Sequence, residues 1–329
     1  MKTKIGAITK IKTGKLDANA SSINGKYPFF TCSKEPLKID SYSYDCECVL
    51  VAGNGDLNVK YFNGKFDAYQ RTYIIEDNSD GLLYMPYLYY FLEGYIKELR
   101  KQSIGGVIKY IKLENLTEVS LELPTIAEQK RIVSVMEICS KLLISKNSVI
   151  KEMDLLIKAR FVEMFGDPVN NSKDLETNKL KNVLTLKAGD FTDASEITET
   201  QTEDNIYPCY GGNGIRGYVK EYNHDGDYSL IGRQGALSGN VQFANGKFKN
   251  TEHALLVTPL IDTNSIWLYI LLQILDLKRY QTGAAQPGIS IKNLQEIDII
   301  SVPINKQNQF ADFVKQVDKS KFIQMNSTI

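Results

Sequence analysis

The chain has 329 residues, 43% hydrophobic and 24% charged, and its 39 basic and 39 acidic side chains leave no net charge. This composition is ordinary for a globular protein of about two domains at roughly 150 residues each. It excludes a helical membrane span, because no apolar run approaches the ~20 residues one needs. Five cysteines without a CxxC pair and two histidines far apart, His224 and His253, supply a zinc site or a histidine triad poorly.

The N-terminus, MKTKIGAITKIKTGK, is basic but lacks the apolar core of a secretory signal, so a cytoplasmic protein is expected. From Met1 to Lys26 there are six lysines and one acid, Asp17. A local basic face of this kind can bind a polyanion although the total charge is zero. Next come short runs bounded by Gly, Asn and Asp, such as ECVLVAG and RTYIIE, which read as strands. Cys46 and Cys48 alternate along the first of these and are expected to face one side as small apolar residues. Met85–Lys101 has apolar positions recurring at three and four, as a helix requires.

Between Thr125 and Gly166 the text changes. The pairs Val135-Met136, Leu142-Leu143, Val149-Ile150 and Leu156-Ile157 recur every seven residues, which predicts a helix of ~60 Å packed along a partner helix. Beyond it the first text returns. Tyr27–Ser33 matches Tyr207–Asn213, Cys48–Asn58 matches Tyr228–Ser238, and NGKF occurs at Asn63–Phe66 and again at Asn245–Phe248. Tyr110–Pro124 matches Gly288–Pro303, and Lys4–Lys15 matches Lys179–Asp190, so five blocks hold one register. Ser265–Tyr280 repeats the helical segment, and Asn305–Gln324 forms a second rod with Phe310, Phe313, Val314 and Val317 on one face.

The chain is therefore expected to be α/β (α+β), with two duplicated mixed α/β domains separated by long antiparallel coiled-coil helices and the two domains at opposite ends. The expected boundaries are 1–124 and 167–303 for the domains, 125–166 for the spacer helix and 304–329 for the short C-terminal helix.

Catalytic signatures are scarce. GNGIRG at Gly212–Gly217 matches the dinucleotide fingerprint by letter, but the text after it is turn-rich and no helix follows to meet a pyrophosphate. There is no Walker-type phosphate loop, and no nucleophile sits beside a plausible base. The loops do carry hydrogen-bonding side chains beside strands. In the first copy these include Lys34, Asn54, Asn58, Lys60, Gln70, Arg71, Gln102 and Ser103. In the second they include Asn213, Arg216, Arg233, Gln234, Ser238, Asn240, Asn250, His253, Gln281 and Gln286. Arg, Asn and Gln suit base edges in the major groove, and Lys and Ser suit phosphates.

Leu123–Asp167 (LPTIAEQKRIVSVMEICSKLL…IKARFVEMFGD) closely resembles the central conserved region of type I restriction-modification specificity subunits. Gly211–Val257 resembles one class of their target-recognition domain, and Gly283–Pro303 is typical of the same family. The resemblance covers the whole chain, with Val49–Phe66 matching as a diverged member. It implies that each domain grips one half of a bipartite, asymmetric double-stranded DNA site, while the helices fix the gap and dock two modification subunits. It implies that S-adenosylmethionine and ATP are used by the modification and restriction subunits, so that this chain is not an enzyme and holds no cofactor or metal. The loops it favours as DNA-facing are Gly53–Asn58, Ser103–Lys109, Arg233–Asn240 and Gly283–Ser290. On the spacer helix it points to Gln129, Arg131, Val135, Leu142, Val149 and Leu156 as partner-facing.

The second helix is short beside the family pattern, which leads to the expectation of incomplete docking of a second modification subunit, or of completion by another chain. Two other readings stand beside this one: the recognition part of a two-chain type II-like restriction-methyltransferase, and a protein-binding scaffold that no longer binds DNA.

Overall fold

The computed structural model describes residues 2–283 and 287–326, without the side chains of 323–326. Its packing divides into two units, one ending at Ile144 and the other beginning at Ser145. The division falls within one helix that contributes to both.

The first unit runs β1 (Lys2–Lys4), α1 (Ile5–Ile8), β2 (Thr9–Thr13), β3 (Tyr27–Phe30), β4 (Leu37–Ile39), β5 (Tyr44–Ala52), β6 (Val59–Ala68), β7 (Thr72–Asp77), α2 (Met85–Gln102), α3 (Glu114–Thr117), β8 (Ser120–Glu122) and α4 (Ile126–Phe165). The second runs β9 (Thr177–Lys179), α5 (Leu180–Val183), β10 (Leu184–Ala188), β11 (Tyr207–Gly211), β12 (Gly214–Val219), β13 (His224–Asp225), β14 (Tyr228–Gly232), β15 (Val241–Ala244), β16 (Lys247–Asn250), β17 (Ala254–Pro259), α6 (Ser265–Ile274), α7 (Ile291–Gln295), β18 (Asp298–Ile300) and α8 (Ile304–Asn326). The orders correspond element for element, except that β13 and β14 replace β5, and β15 and β16 replace β6.

That exception concerns the repeated NGKF. In the first unit Asn63 and Gly64 lie inside β6, paired across β5 with Glu47 and Cys46. In the second, Asn245 and Gly246 separate β15 from β16, and Gly246 has φ +69°. Gly226 N donates to Gly246 O there (3.0 Å), so both partner strands break at the same level.

The first unit's sheet has the order β2-β7-β5-β6-β3-β4, all antiparallel except β3 beside β6. The second divides into β10-β17-β14-β15 and β12-β11-β16-β13, again with one parallel pair, β11 beside β16. Alternation along β5 sends Val49 and Val51 to a core shared with Leu88, Leu92 and Leu99 of α2. Cys46, Cys48 and Leu50 go to the other face, among Phe30, Phe66 and Ile74. Burial pushes the Cys48 thiol pKa up, so it behaves there as a small apolar side chain. Helix α2 begins with a proline in its first turn and buries Met85, Leu88, Leu92 and Leu99, one stripe.

Helix α4 starts at a capping box. Thr125 N and Oγ1 donate to Glu128 Oε2 (3.0 and 2.8 Å), and Glu128 N donates back to Thr125 Oγ1 (3.3 Å). These hydrogen bonds hold the Glu128 carboxyl below its ordinary pKa. The helical text at Ser265–Tyr280 is not one helix. Asn264 caps α6 by accepting from Ile266 N and Trp267 N, but α6 ends at Ile274. Asp276 is left-handed (φ 46°), and a 3-10 turn follows over Leu277–Tyr280.

In the second unit α8 runs antiparallel to the end of α4. Phe310 packs on Phe161 and Phe165 (ring centroids 5.3 and 5.7 Å), and Lys321 Nζ reaches Asp154 Oδ1 at 2.7 Å. Trp267 of α6 joins the same aromatic cluster. The seven-residue seam is covered there at Ile157 and half-covered at Val149 and Ile150. Val135, Leu142 and Leu156 are 54%, 52% and 51% exposed, and Arg131 is also exposed.

Gln129 does not belong with them. It is fully buried. Its Oε1 accepts from Tyr84 N (2.8 Å), and its Nε2 donates to Leu82 O and Pro124 O (2.8 and 2.9 Å). All of that amide is spent on the first unit's own loops, so Gln129 is a brace and not a partner-facing residue. Gln307 of α8 repeats the arrangement with Asn264 N and Val302 O (2.9 and 2.7 Å). Among the described residues no helix is long and apolar enough to cross a membrane.

Candidate nucleic-acid interface

In each unit, loops distant in sequence are laced together by the same backbone hydrogen bonds. In the second unit Arg233 N donates to His253 O (2.9 Å), Ile289 N to Arg233 O (2.9 Å) and Gly235 N to Pro287 O (2.8 Å). In the first, Gly53 N donates to Arg71 O (2.7 Å), Ile111 N to Gly53 O (2.9 Å) and Gly55 N to Lys109 O (2.9 Å). The segment after the helix closes on itself in both, through reciprocal bonds between Thr282 and Gly288 and between Ile104 and Tyr110. A third strand end is drawn in by asparagine. Asn58 Nδ2 donates to Cys32 O (2.8 Å), and Asn240 Nδ2 lies 3.5 Å from Asn213 Oδ1.

The lacing gathers Asn213, Arg233, Gln234, Asn240 and His253 at one set of loops. Arg216 lies beside them on β12, its side-chain carbons where a Cβ on Gly211 would fall. In the first unit it gathers Asn54, Asn58 and Arg71, with Lys34 two residues beyond Cys32. No hydrogen bond or ion pair among the described residues uses the side chains of Lys34, Arg71, Arg216, Arg233 or Gln234, so all five are available to a ligand. His253 Nε2 is 3.0 Å from Glu252 Oε1.

Other candidates are spent internally. Ser238 is fully buried, its hydroxyl without a hydrogen-bond partner among the described residues and its backbone carbonyl accepting from Gln281 Nε2 (2.6 Å), so it sits at a packing position away from the loop surface. Asn250 is likewise buried, with Nδ2 donating to Ala254 O. Lys60 is half-buried and donates to Asn58 Oδ1; burial lowers its pKa, against the opposing pull of Cys32 and Glu35. It therefore orients Asn58. Asn54 Oδ1 accepts from Cys32 Sγ (2.9 Å). Gln70 Nε2 donates to Asp17 Oδ1 (2.9 Å), and Gln102 accepts from Asn115 (3.2 Å). Ser103 Oγ donates to Arg100 O (2.6 Å) at the end of α2. Gln286 lies outside the described residues.

One residue of the site escaped sequence reasoning. Arg100 Nη2 donates to Asp56 Oδ1 and Leu57 O (2.8 and 2.9 Å), tying the Gly53–Asn58 loop to α2. In sequence it is one more basic residue on a helix surface, and nothing local marks its target 43 residues away.

GNGIRG forms a hairpin, with β11 and β12 paired across Gly212-Asn213, and so runs into a strand and not a helix. Among the described residues no group of three His, Cys, Asp or Glu side chains is gathered as a metal site needs.

Two copies of one α/β domain, each leading into a long helix and each displaying the same laced loops, define a duplicated fold on helical supports. The chain belongs to the family described as the type I restriction modification DNA specificity domain, which matches residues 1–152 and 172–329. It is 43% identical over 139 residues to the EcoprrI type I specificity subunit of Escherichia coli, covering 42% of this chain and 35% of that one. It is 44% identical over 128 residues to the EcoDI specificity subunit of the same species, covering 39% and 28%. The chain thus spans about a third of the length of these curated relatives. The crystal structure of a type I S subunit from M. genitalium shares the fold, with a TM-score of 0.64 at 18% identity over 99% of this chain and 91% of that one.

Proposed function

We propose that this chain is the non-catalytic DNA-specificity subunit of a cytoplasmic type I restriction-modification complex. Each domain reads one half of a bipartite, asymmetric site in double-stranded DNA. Helices α4 and α8 set the gap and dock modification subunits through exposed residues such as Arg131, Val135, Leu142 and Leu156. Methyl transfer from S-adenosylmethionine and ATP-driven cleavage belong to the modification and restriction subunits. The observation that carries the reading is the repeated lacing: two copies of one loop frame, each presenting an arginine, Arg71 or Arg233, whose side chain makes no hydrogen bond or ion pair among the described residues. Arginine is the side chain best suited to guanine O6 and N7.

The two arginines provide the test. Arg71→Ala and Arg233→Ala are each expected to weaken DNA binding about 5- to 100-fold, as loss of one bidentate base contact does. Each should relax specificity in a different half-site and leave assembly with the modification subunit unchanged. Binding titrations on duplexes altered in one half at a time read this directly. Loss of assembly without loss of half-site specificity would make the arginines structural. The exposed apolar residues of α4 also fit a protein-binding scaffold; such a scaffold would show no DNA affinity falling steeply with salt.

A further inference from the structure

Within the first domain's laced loops, one segment differs from everything around it. Residues 105–109 project from the bridge between Ile104 and Tyr110. Val107 is 104% exposed and Ile108 62%. Ile104, Tyr110 and Leu113 are exposed beside them, and Lys101, Lys109 and Lys112 flank the group, all exposed. A contiguous exposed apolar group rimmed by cations marks an interaction site.

The segment is built to hold its shape. Ile104 N donates to Tyr110 O (3.0 Å) and Tyr110 N to Ile104 O (2.8 Å), closing the base. Gly105 has φ +114°, and a Cβ there would lie 2.6 Å from the Ile108 carbonyl oxygen, so only glycine fits. The same hydrogen bonds that present Asn54 and Arg71 present this tip, through Lys109 O and Ile111 N. The second domain repeats the frame: Thr282 and Gly288 close the base, and Gly283 has φ +89° at the position of Gly105. By sequence position Val107 and Ile108 correspond to Ala285 and Gln286, which differ from them in chemistry.

We infer that Val107 and Ile108 are specificity-determining residues that make apolar contact with a thymine 5-methyl group in the half-site read by the first domain. The major groove displays that methyl as its one apolar base feature, and short aliphatic side chains recognise it. The flanking lysines suit the adjacent phosphates. This inference rests on the DNA-reading function proposed above.

The test uses the full chain assembled with its modification subunit and the target duplex that the assembly methylates. Each thymine of the half-site impaired by Arg71→Ala is replaced in turn by uracil, which removes only the methyl. At one position the wild-type assembly should bind about fourfold more weakly, the effect of one methyl-sized group leaving apolar contact. V107S/I108S should bind the thymine and uracil duplexes alike, with its melting temperature unchanged because both side chains are exposed. Equal binding of all uracil duplexes by the wild type would overturn the inference, as would a variant that still prefers thymine. So would an unstacked base step, detected by 2-aminopurine fluorescence and lost in the variant, which would make the tip a wedge. Failure to find any methylated target would instead contradict the underlying DNA-reading function, so the two failures are distinguishable.

Discussion

Phe310→Ala is expected to destabilise the second domain by about 3–5 kcal/mol, the cost of emptying a well-packed aromatic site. Phe310 is fully buried, and its ring meets Phe161 and Phe165 edge-on. It anchors α8 on α4 beside Val314 and Val317, so its loss should also loosen α8. The chain's one tryptophan, Trp267, packs on the same two rings of α4. Denaturant unfolding followed by its fluorescence therefore reports on the core of the second domain. A midpoint that stays at the wild-type value would show that α8 is not held by this contact.

Gln129→Leu should cost on the order of 3 kcal/mol, from a different cause. Leucine fills similar space but leaves Tyr84 N, Leu82 O and Pro124 O without their amide partner. Unpaired buried backbone groups each cost about 1–3 kcal/mol, partly relieved where water can enter. Hydrogen exchange at the Tyr84 amide should rise sharply, while the Trp267 transition stays where it is. The matching Gln307→Leu should do the reverse, since Gln307 braces Asn264 at the start of α6. If Gln129→Leu instead abolished partner assembly with normal stability and exchange, the residue would be partner-facing after all.

These two residues also mark what could be read from sequence. Phe310 was legible because apolar periodicity is local: Phe310, Phe313, Val314 and Val317 announce a face without reference to anything distant. The same holds for Cys46 and Cys48, whose alternation placed them on one side of β5. Gln129 and Ser238 were misread because a buried polar residue looks like a surface one until its partners are known. Two of the three partners of Gln129 lie 45 and 47 residues away, and the amide that meets the Ser238 carbonyl lies 43 away. The break at Asp276 was hidden by continuous apolar text, since Leu277 is buried on both sides of the question, as helix or as turn. The laced loops are recognisable as loops, but their lacing is made of backbone N–H and C=O groups, which every residue carries and no side-chain pattern reveals.

The proposed DNA-reading function is tested most directly by the methylation pattern found when this chain is present. The chain would be expressed with its modification subunit in a host free of other methyltransferases, and the methyladenines mapped by sequencing. If two diverged copies of one loop frame do the reading, one split motif is expected, two specified halves of unlike sequence separated by an unspecified gap of constant length. A single continuous motif, or methylation that ignores sequence while the complex still assembles, would contradict that function.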